Sequence, residues 1–337
     1  MTRLPANDID RLAARVASGD RKALAHAITL VESTREADRD RAETLLTALL
    51  PRSGNALRIG ISGAPGAGKS TFIEALGTHV TGQGRKLAVL AVDPTSLRSG
   101  GSILGDKTRM AALARNPAAF IRPTAAGAEP GGISRRTREA IIVTEAAGFE
   151  VVLVETVGVG QSETAVAEMV DIFALLIAPG SGDDLQGIKR GAMEIADLVV
   201  ITKADGDLER AATRAFADYR AALSLLRPKY PGTPARMVKV SALSGAGLAE
   251  SWSLMEEFGH ELRESGELAR LRRDQVRNWF RSEVRAALNH AIAADSVMSA
   301  EAATLEAAVL DGRSLAEAAA RTLIRAFRGL DGMNPPP

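Results

Sequence analysis

The feature that most constrains this chain is a glycine-rich segment lying between an apolar run and a helical pattern. Its spacing is GxxxxGKS/T, which is typical of a phosphate-binding loop. Glycines let successive backbone N–H groups converge on a phosphate, because no Cβ atom stands in the way. Residues 57–62 predict a buried strand entering the loop, and residues 70–76 predict a helix whose positive dipole end faces the anion. We therefore expect a nucleoside triphosphate to bind at Gly63, Ala64, Pro65, Gly66, Ala67, Gly68, Lys69, Ser70 and Thr71.

Within this loop, two side chains have expected chemical roles. Lys69 should reach the β- and γ-phosphates, and the Ser70 hydroxyl should bind Mg²⁺. The alternative, a glycine-rich turn without a ligand, is disfavoured because the strand, loop and helix follow one another in the required order.

Composition excludes several other classes of protein. The 337 residues include no cysteine, so disulfides, thiolate metal sites and cysteine nucleophiles are excluded, and the four histidines show no metal-ligand spacing. A net charge of +1 gives no general attraction to nucleic acid or membranes. No apolar run approaches the roughly 20 residues of a membrane span, and the first ten residues lack an apolar signal core. We therefore expect a cytoplasmic protein with neither nucleic acid nor membrane as a partner.

The order of apolar runs predicts three regions: an N-terminal helical extension (1–54), an α/β domain (55–260) and a C-terminal helical segment (261–337). Strand-like Val/Ile/Leu runs alternate with helical patterns in the middle region. They predict a mostly parallel, doubly wound sheet with its ligand at the carboxyl ends of the strands. The predicted strands are 57–62, 87–92, 151–156, 172–178, 198–202 and 236–241.

Carboxylates at the ends of two predicted strands are candidates for binding Mg²⁺. Asp93 follows one strand, and Glu155 ends another at the position where Asp is usual. The longer Glu155 side chain could act through water or contact a switch residue instead. Asp106, in the long aperiodic segment 93–134, could bind the metal or merely cap a helix near Lys107–Ala114.

The residues after the Glu155 strand bear on hydrolysis. Gly158 could offer its N–H to the γ-phosphate. Ras-like GTPases carry a water-orienting Gln directly after this glycine, whereas Val159 stands here. Gln161 lies two residues further on and is a weak candidate for orienting the attacking water. Because Val159 cannot do so, intrinsic hydrolysis should be slow.

Two later segments resemble guanine-binding motifs. Thr202-Lys203-Ala204-Asp205 resembles NKxD, in which the Asp accepts hydrogen bonds from guanine N1–H and the N2 amine while the Lys stem covers the base. Thr202 replaces Asn, so a tether between the base loop and the phosphate loop is expected to be weaker. A second loop, expected to support guanine O6 through backbone N–H groups, is Ser241, Ala242 and Leu243.

Two further segments leave alternatives open. The glycine-rich loop 180–189 could be a functional polar loop or a passive connector. Beyond Gly259, one helix carries an apolar stripe, and a second follows a capping box at Ser314–Glu317. These helices must pack on the rest of the chain or on a second copy, and we favour a homodimer. The stripe comprises Val276, Trp279, Phe280, Val284, Leu288 and Ile292.

Several of these segments together resemble the MeaB/ArgK/MMAA group of G proteins. They are residues 19–33, the phosphate loop, 92–96, 155–163 and above all Gly100–Met110, which is far more specific than the loop. The resemblance covers nearly the whole chain. It implies a homodimeric protein that binds GTP or GDP with Mg²⁺ and hydrolyses GTP slowly. It also implies a chaperone that escorts adenosylcobalamin-dependent methylmalonyl-CoA mutase, gates its cofactor loading and protects it from inactivation.

The resemblance also implies roles for individual residues. The metal and switch residues correspond to Ser70, Asp93, Asp106 and Glu155, and the candidate catalytic residues are Lys69, Asp93 and Glu155. The family's signalling loop corresponds to Gly180–Lys189, in which we expect partner contacts from Asp183, Gln186 and Lys189.

Two other functions compete with this interpretation. One is a P-loop kinase or ATPase that acts on a small metabolite or a transport system; the guanine motifs argue against it. The other is a nickel-inserting GTPase, which would need the Cys and His clusters that this chain lacks.

Overall fold

A computed structural model of the chain describes residues 6–93, 110–125, 132–156, 162–180 and 190–329. The chain divides into two compact units, Met1–Arg272 and Arg273–Pro337. The three regions predicted from the sequence, 1–54, 55–260 and 261–337, differ from these two units. That they are three functional regions remains a proposal.

Unit 1 is organised around a seven-stranded sheet in the order β3-β2-β4-β1-β5-β6-β7. Every described strand pairing is parallel, so all carboxyl ends lie at one edge. β1 and its neighbours β4 and β5 are buried along their whole length, as expected for a sheet covered on both faces. The strands are β1 (Leu57–Gly63), β2 (Leu87–Asp93), β3 (Ala119–Ala125), β4 (Val151–Thr156), β5 (Ile172–Ile177), β6 (Leu198–Ile201) and β7 (Arg236–Lys239).

The predicted α/β class is confirmed, but one strand was missed. β3 lies inside the segment predicted to lack regular structure. Arg122 and Pro123 interrupt its apolar run, which an edge strand with one neighbour tolerates. β6 and β7 end one or two residues earlier than predicted, because Thr202, Val240 and Ser241 belong to loops beyond the sheet.

Helices cover both faces of the sheet and form the N-terminal extension. α2 begins after Gly19, whose φ is +80°, and Asp20 caps it by accepting hydrogen bonds from the backbone N–H groups of Lys22 and Ala23. The helices of unit 1 are α1 (Ala6–Ala17), α2 (Arg21–Val31), α3 (Glu36–Leu49), α4 (Lys69–Gly82), α5 (Ala111–Arg115), α6 (Gly132–Ala146), α7 (Ser162–Ala167), α8 (Arg190–Ile195), α9 (Glu209–Ser224) and α10 (Leu248–Glu264), with α11 (Glu267–Ala294) running on into unit 2.

Unit 2 has more helix than the sequence analysis predicted. After α11 come α12 (Ser296–Leu310) and α13 (Ala316–Phe327), which pack against each other. The predicted capping box at Ser314 is wrong. α13 begins one residue later, with Leu315 at the N-cap and no side-chain cap. α12 was missed because its Ala-rich sequence spreads apolar and polar residues around the helix without a distinct apolar stripe.

The apolar stripe on α11 is largely exposed in this chain. Phe280 is 69% exposed and Val276 is 57% exposed, and Val284 and Leu288 are also exposed. No described helix is long and apolar enough to cross a membrane.

Candidate nucleotide site

The phosphate loop connects the buried end of β1 to the first turn of α4. At Gly63 a Cβ atom would lie 2.4 Å from the carbonyl oxygen of Leu176 on β5, so the loop leaves the sheet through a space that only glycine fits. Gly68, at the N-cap of α4, has a φ of +86°. The first N–H groups of α4 have no acceptor within the helix, so the loop can present them to a phosphate.

Lys69 is the first residue of α4, and its side chain folds back over the loop. Its Nζ donates to the carbonyl oxygens of Gly63 at 2.7 Å and Ala64 at 3.3 Å. Burial lowers the pKa of Lys69, and the nearby carboxylates of Glu155 and Glu163 oppose that effect. The ammonium is thus held at the loop and can meet negative charge on a phosphate.

Ser70 and Glu155 come together from different elements. The Ser70 hydroxyl donates to Glu155 Oε1 at 3.2 Å, and Glu155 is buried near the carboxyl end of β4. Hydroxyl and carboxylate oxygens are both suitable ligands for Mg²⁺. Among the described residues no group of three or more His, Asp or Glu side chains could hold a metal by itself.

The loops after β6 and β7 form a cavity of about 290 Å³ together with Gly68 of the phosphate loop and Thr71 and Phe72 of α4. Lys203 lines it and has a φ of +52°, which is rare for a residue other than glycine and often marks a functional site. Asp205 lines the same cavity and accepts a hydrogen bond from the Ser241 hydroxyl, whose oxygen accepts from the Ser244 N–H at 3.1 Å. Asp205 is therefore held in place while part of it faces the cavity.

Apolar side chains form much of the remaining cavity wall. Ala242 and Leu243 come from the loop after β7, and Leu243 is 84% exposed at the rim. Leu208, which the sequence analysis did not single out, lines the other side and is 38% exposed. A polar carboxylate between apolar walls suits a flat base with hydrogen-bond donors on one edge.

Thr202 keeps the tether that its replacement of Asn was expected to weaken. Its buried hydroxyl donates to the carbonyl oxygen of Ala67 at 2.7 Å, with the Ile177 carbonyl at 3.2 Å as a second acceptor. The short threonine side chain thus still links the base loop to the phosphate loop. Local sequence patterns cannot predict this contact, because the two residues lie 135 positions apart.

Several predicted site residues cannot be placed. The backbone of Asp93 ends β2, but its side chain lies outside the described part of the chain. The other predicted positions outside it are Asp106, Gly158, Asp183, Gln186 and Lys189.

Comparison with known proteins agrees with this fold. A family model described as "Methylmalonyl Co-A mutase-associated GTPase MeaB" matches residues 24–297. "GTPase ArgK" of Escherichia coli is 50% identical over 280 residues, covering 83% of this chain and 85% of that protein. "Methylmalonic aciduria type A homolog, mitochondrial" of Mus musculus is 46% identical over 330 residues, covering 95% of this chain and 80% of that protein.

A solved structure extends the similarity to three dimensions. The "LAO/AO transport system kinase" has a TM-score of 0.78 and 38% identity to this chain, covering 97% of this chain and 100% of that one. The chain is therefore a P-loop GTPase and belongs to the family of methylmalonyl-CoA mutase-associated GTPases.

Proposed function

We propose that this GTPase is a chaperone of adenosylcobalamin-dependent methylmalonyl-CoA mutase, which it assembles with, protects and gates for cofactor loading. The family description and the name of the mouse relative support this partner. The observation that carries the choice of nucleotide is the cavity in which Asp205 is fixed by Ser241 beside the aliphatic stem of Lys203. An ionised carboxylate there can accept from guanine N1–H and N2, whereas adenine offers no such pair of donors.

The roles of the phosphate-side residues follow from their positions. Lys69 would move from the loop carbonyls to the β/γ-phosphates and stabilise charge that develops there. Ser70 and Glu155 would hold Mg²⁺, together with Asp93 and Asp106. When bound, the ion neutralises charge on the β- and γ-phosphate oxygens.

We further propose that hydrolysis is slow until the partner binds. Val159 occupies the position of a water-orienting Gln and cannot orient the attacking water. A residue supplied by the partner could therefore accelerate hydrolysis. The loop 180–189 would report partner binding to the nucleotide site through Asp183, Gln186 and Lys189. Gln186→Ala with Lys189→Ala should leave basal hydrolysis nearly intact and reduce stimulation by the mutase. Full stimulation of that variant would make the loop a passive connector.

The partner proposal is tested by capturing the mutase on the full-length chain loaded with GDP or with a non-hydrolysable GTP analogue. We expect a complex whose affinity differs between the two nucleotides, because allosteric coupling requires a differential interaction. Lys22→Ala, on an exposed part of α2, is the control and should behave like the parent chain. Absence of a complex with either nucleotide would contradict the chaperone role and leave the GTPase assignment standing.

A kinase remains the competing activity, since the solved structure of similar fold carries that name. Phosphate release should account for all GTP consumed, with or without candidate metabolites. A metabolite that becomes phosphorylated at the expense of GTP would favour the kinase.

A homodimer through unit 2 is the remaining part of the proposal. The exposed apolar stripe on α11 supports it, because a stripe of this size is usually covered. Phe280→Glu with Val284→Glu should produce a monomer in sedimentation velocity, whereas Ser282→Glu, on the opposite side of the helix, should not. A monomeric parent chain at all concentrations would contradict the dimer.

A further inference from the structure

A second and larger cavity lies at the other end of β6 from the nucleotide site. Its volume is about 550 Å³, within the usual range for sites that bind small molecules. α9 forms one wall, and the residues that lead into β6 and β7 form another. The larger apolar side chains in its lining are Met193, Phe216, Leu223, Leu226, Met237 and Leu254.

One ammonium group in the wall is fixed by a buried carboxylate. The Asp197 side chain is 1% exposed, and its Oδ2 accepts the backbone N–H of Phe173 at 2.8 Å. Lys229 Nζ lies 3.2 Å from Oδ1 and 3.1 Å from Oδ2, while 30% of the Lys229 side chain stays exposed. Burial raises the pKa of Asp197, and the Lys229 charge opposes this rise. Because an ammonium has three donors, Lys229 can still donate to a ligand while it pairs with Asp197.

The cavity lining carries two further cationic side chains, and both are exposed. Arg220 and Arg227 both line it, and neither forms an ion pair or hydrogen bond within the described ranges. Arg236, by contrast, pairs with Glu257 and Glu261 on α10. With Asp197 paired to Lys229, the carboxylate of Glu194 is the other acidic group in the lining. Once the paired groups are set aside, the lining contains two arginines and one glutamate, so its net charge is positive.

We propose that this cavity binds a small organic anion, a carboxylate with an aliphatic body. The apolar surface removes the body from water, and Lys229 with the two arginines receives the carboxylate through charge-assisted hydrogen bonds. Neither the apolar wall nor the cationic groups alone would select an aliphatic carboxylate. A neutral hydrocarbon would leave the cations unused, and an inorganic anion would leave the apolar wall exposed to water.

The probe is octanoate, titrated into the full-length, nucleotide-free protein by calorimetry, with 1-octanol and octylamine as comparison ligands. We expect saturable binding of octanoate at one site per chain, weaker binding of octanol and none of octylamine. Arg220→Ala with Arg227→Ala should weaken octanoate binding by about tenfold or more, because two charge-assisted contacts are lost. Arg214→Ala is the matched control, since Arg214 is exposed on α9 and does not line the cavity.

Three results would overturn the proposal: no saturable octanoate binding, equal affinity for octanol, or equal losses in the control and the double variant. Leu223→Glu tests the apolar wall independently and should also abolish binding, with circular dichroism confirming that the variant folds. A fluorescent GDP analogue titrated into the same samples separates this site from the nucleotide site. Its affinity should be the same in the parent and in the double variant.

Discussion

The carboxyl edge of the sheet in unit 1 and the part of its amino edge around β1 and β5 use polar groups in opposite ways. At the carboxyl edge, Lys69 turns back onto loop carbonyls, Lys203 adopts a strained φ of +52°, and Asp205 faces a cavity. At the amino edge, Arg58 on β1 makes a two-pronged pair with Glu145 on α6, at 2.7 and 2.9 Å, and both side chains are buried. A positive φ and polar groups that face a cavity occur at the carboxyl edge, where the nucleotide is expected, whereas the charged groups around β1 at the amino edge pair with one another.

The pairing at the amino edge extends to the start of α11. Asp171 accepts the backbone N–H of Arg58 at 2.9 Å and pairs with Arg272 at 2.6 Å, and Arg272 also donates to the Ala56 carbonyl at 2.7 Å. The carboxylates and guanidinium groups there satisfy one another, so this edge holds β1, β5, α6 and α11 together. A buried group that is fully paired within the protein stabilises the fold but has little left to offer a ligand.

The largest expected effect of breaking this arrangement is on stability. Glu145→Ala leaves the Arg58 guanidinium buried without its partner, which should lower the free energy of unfolding by about 3–5 kcal/mol. Urea denaturation measures it, and GTP hydrolysis well below the melting temperature should be unchanged. Asp274→Ala, which breaks the exposed pair with Arg277, should change stability by about 1 kcal/mol or less. Similar losses of unfolding free energy in the two variants would show that burial does not make the Arg58–Glu145 pair more stabilising than an exposed one.

The next effect is on catalysis at the opposite edge. Lys69→Ala should lower GTP hydrolysis by about 10²–10³-fold, because a cation positioned at the developing phosphate charge is lost. Unfolding of the chain is not expected, since the Lys69 hydrogen bonds to described residues go to loop carbonyls. Phosphate release is the measurement, with Lys22→Ala as the control. Parental rates in a folded Lys69→Ala variant would place the phosphate site elsewhere.

A smaller effect is expected in the base cavity. Asp205→Asn should weaken GTP binding by about 1.5–3 kcal/mol, because charged hydrogen bonds to guanine are lost. Xanthosine triphosphate should gain affinity, since its C2 carbonyl can accept from the new amide. Titration with both nucleotides decides the question, and Ser241→Ala, which loosens Asp205 without removing it, should cause a smaller loss. Unchanged GTP affinity in Asp205→Asn would exclude Asp205 from the base site.

The smallest effect concerns the tether between the two halves of the nucleotide site. Thr202→Val removes the hydroxyl that donates to Ala67 and should weaken GTP binding by about 1 kcal/mol, whereas Thr202→Ser keeps the donor and should match the parent. Equal behaviour of the two variants would mean that packing, not the hydrogen bond, sets the position of the phosphate loop.

Local patterns were enough to predict much of the fold and site. The phosphate loop, the apolar strands and the base loop follow from short stretches whose residue types restrict the backbone directly. Apolar periodicity did not predict β3, because Arg122 and Pro123 interrupt its apolar residues. It did not predict α12 either, because the apolar residues of that helix form no distinct stripe. The capping-box pattern placed the N-cap of α13 at Ser314, although Leu315 holds that position.

The sequence by itself therefore determined the class of fold, the phosphate loop and the residue types available for chemistry, because these depend on neighbours along the chain. Only the tertiary structure decided that Ser70 meets Glu155, that Thr202 reaches Ala67, and that Arg58 and Glu145 neutralise each other. Those contacts join residues that lie 85 to 135 positions apart, and their distances depend on which strands and helices become neighbours. The cavity lined by Arg220 and Arg227 belongs to the same category, because no local pattern places α9 beside the amino ends of β6 and β7.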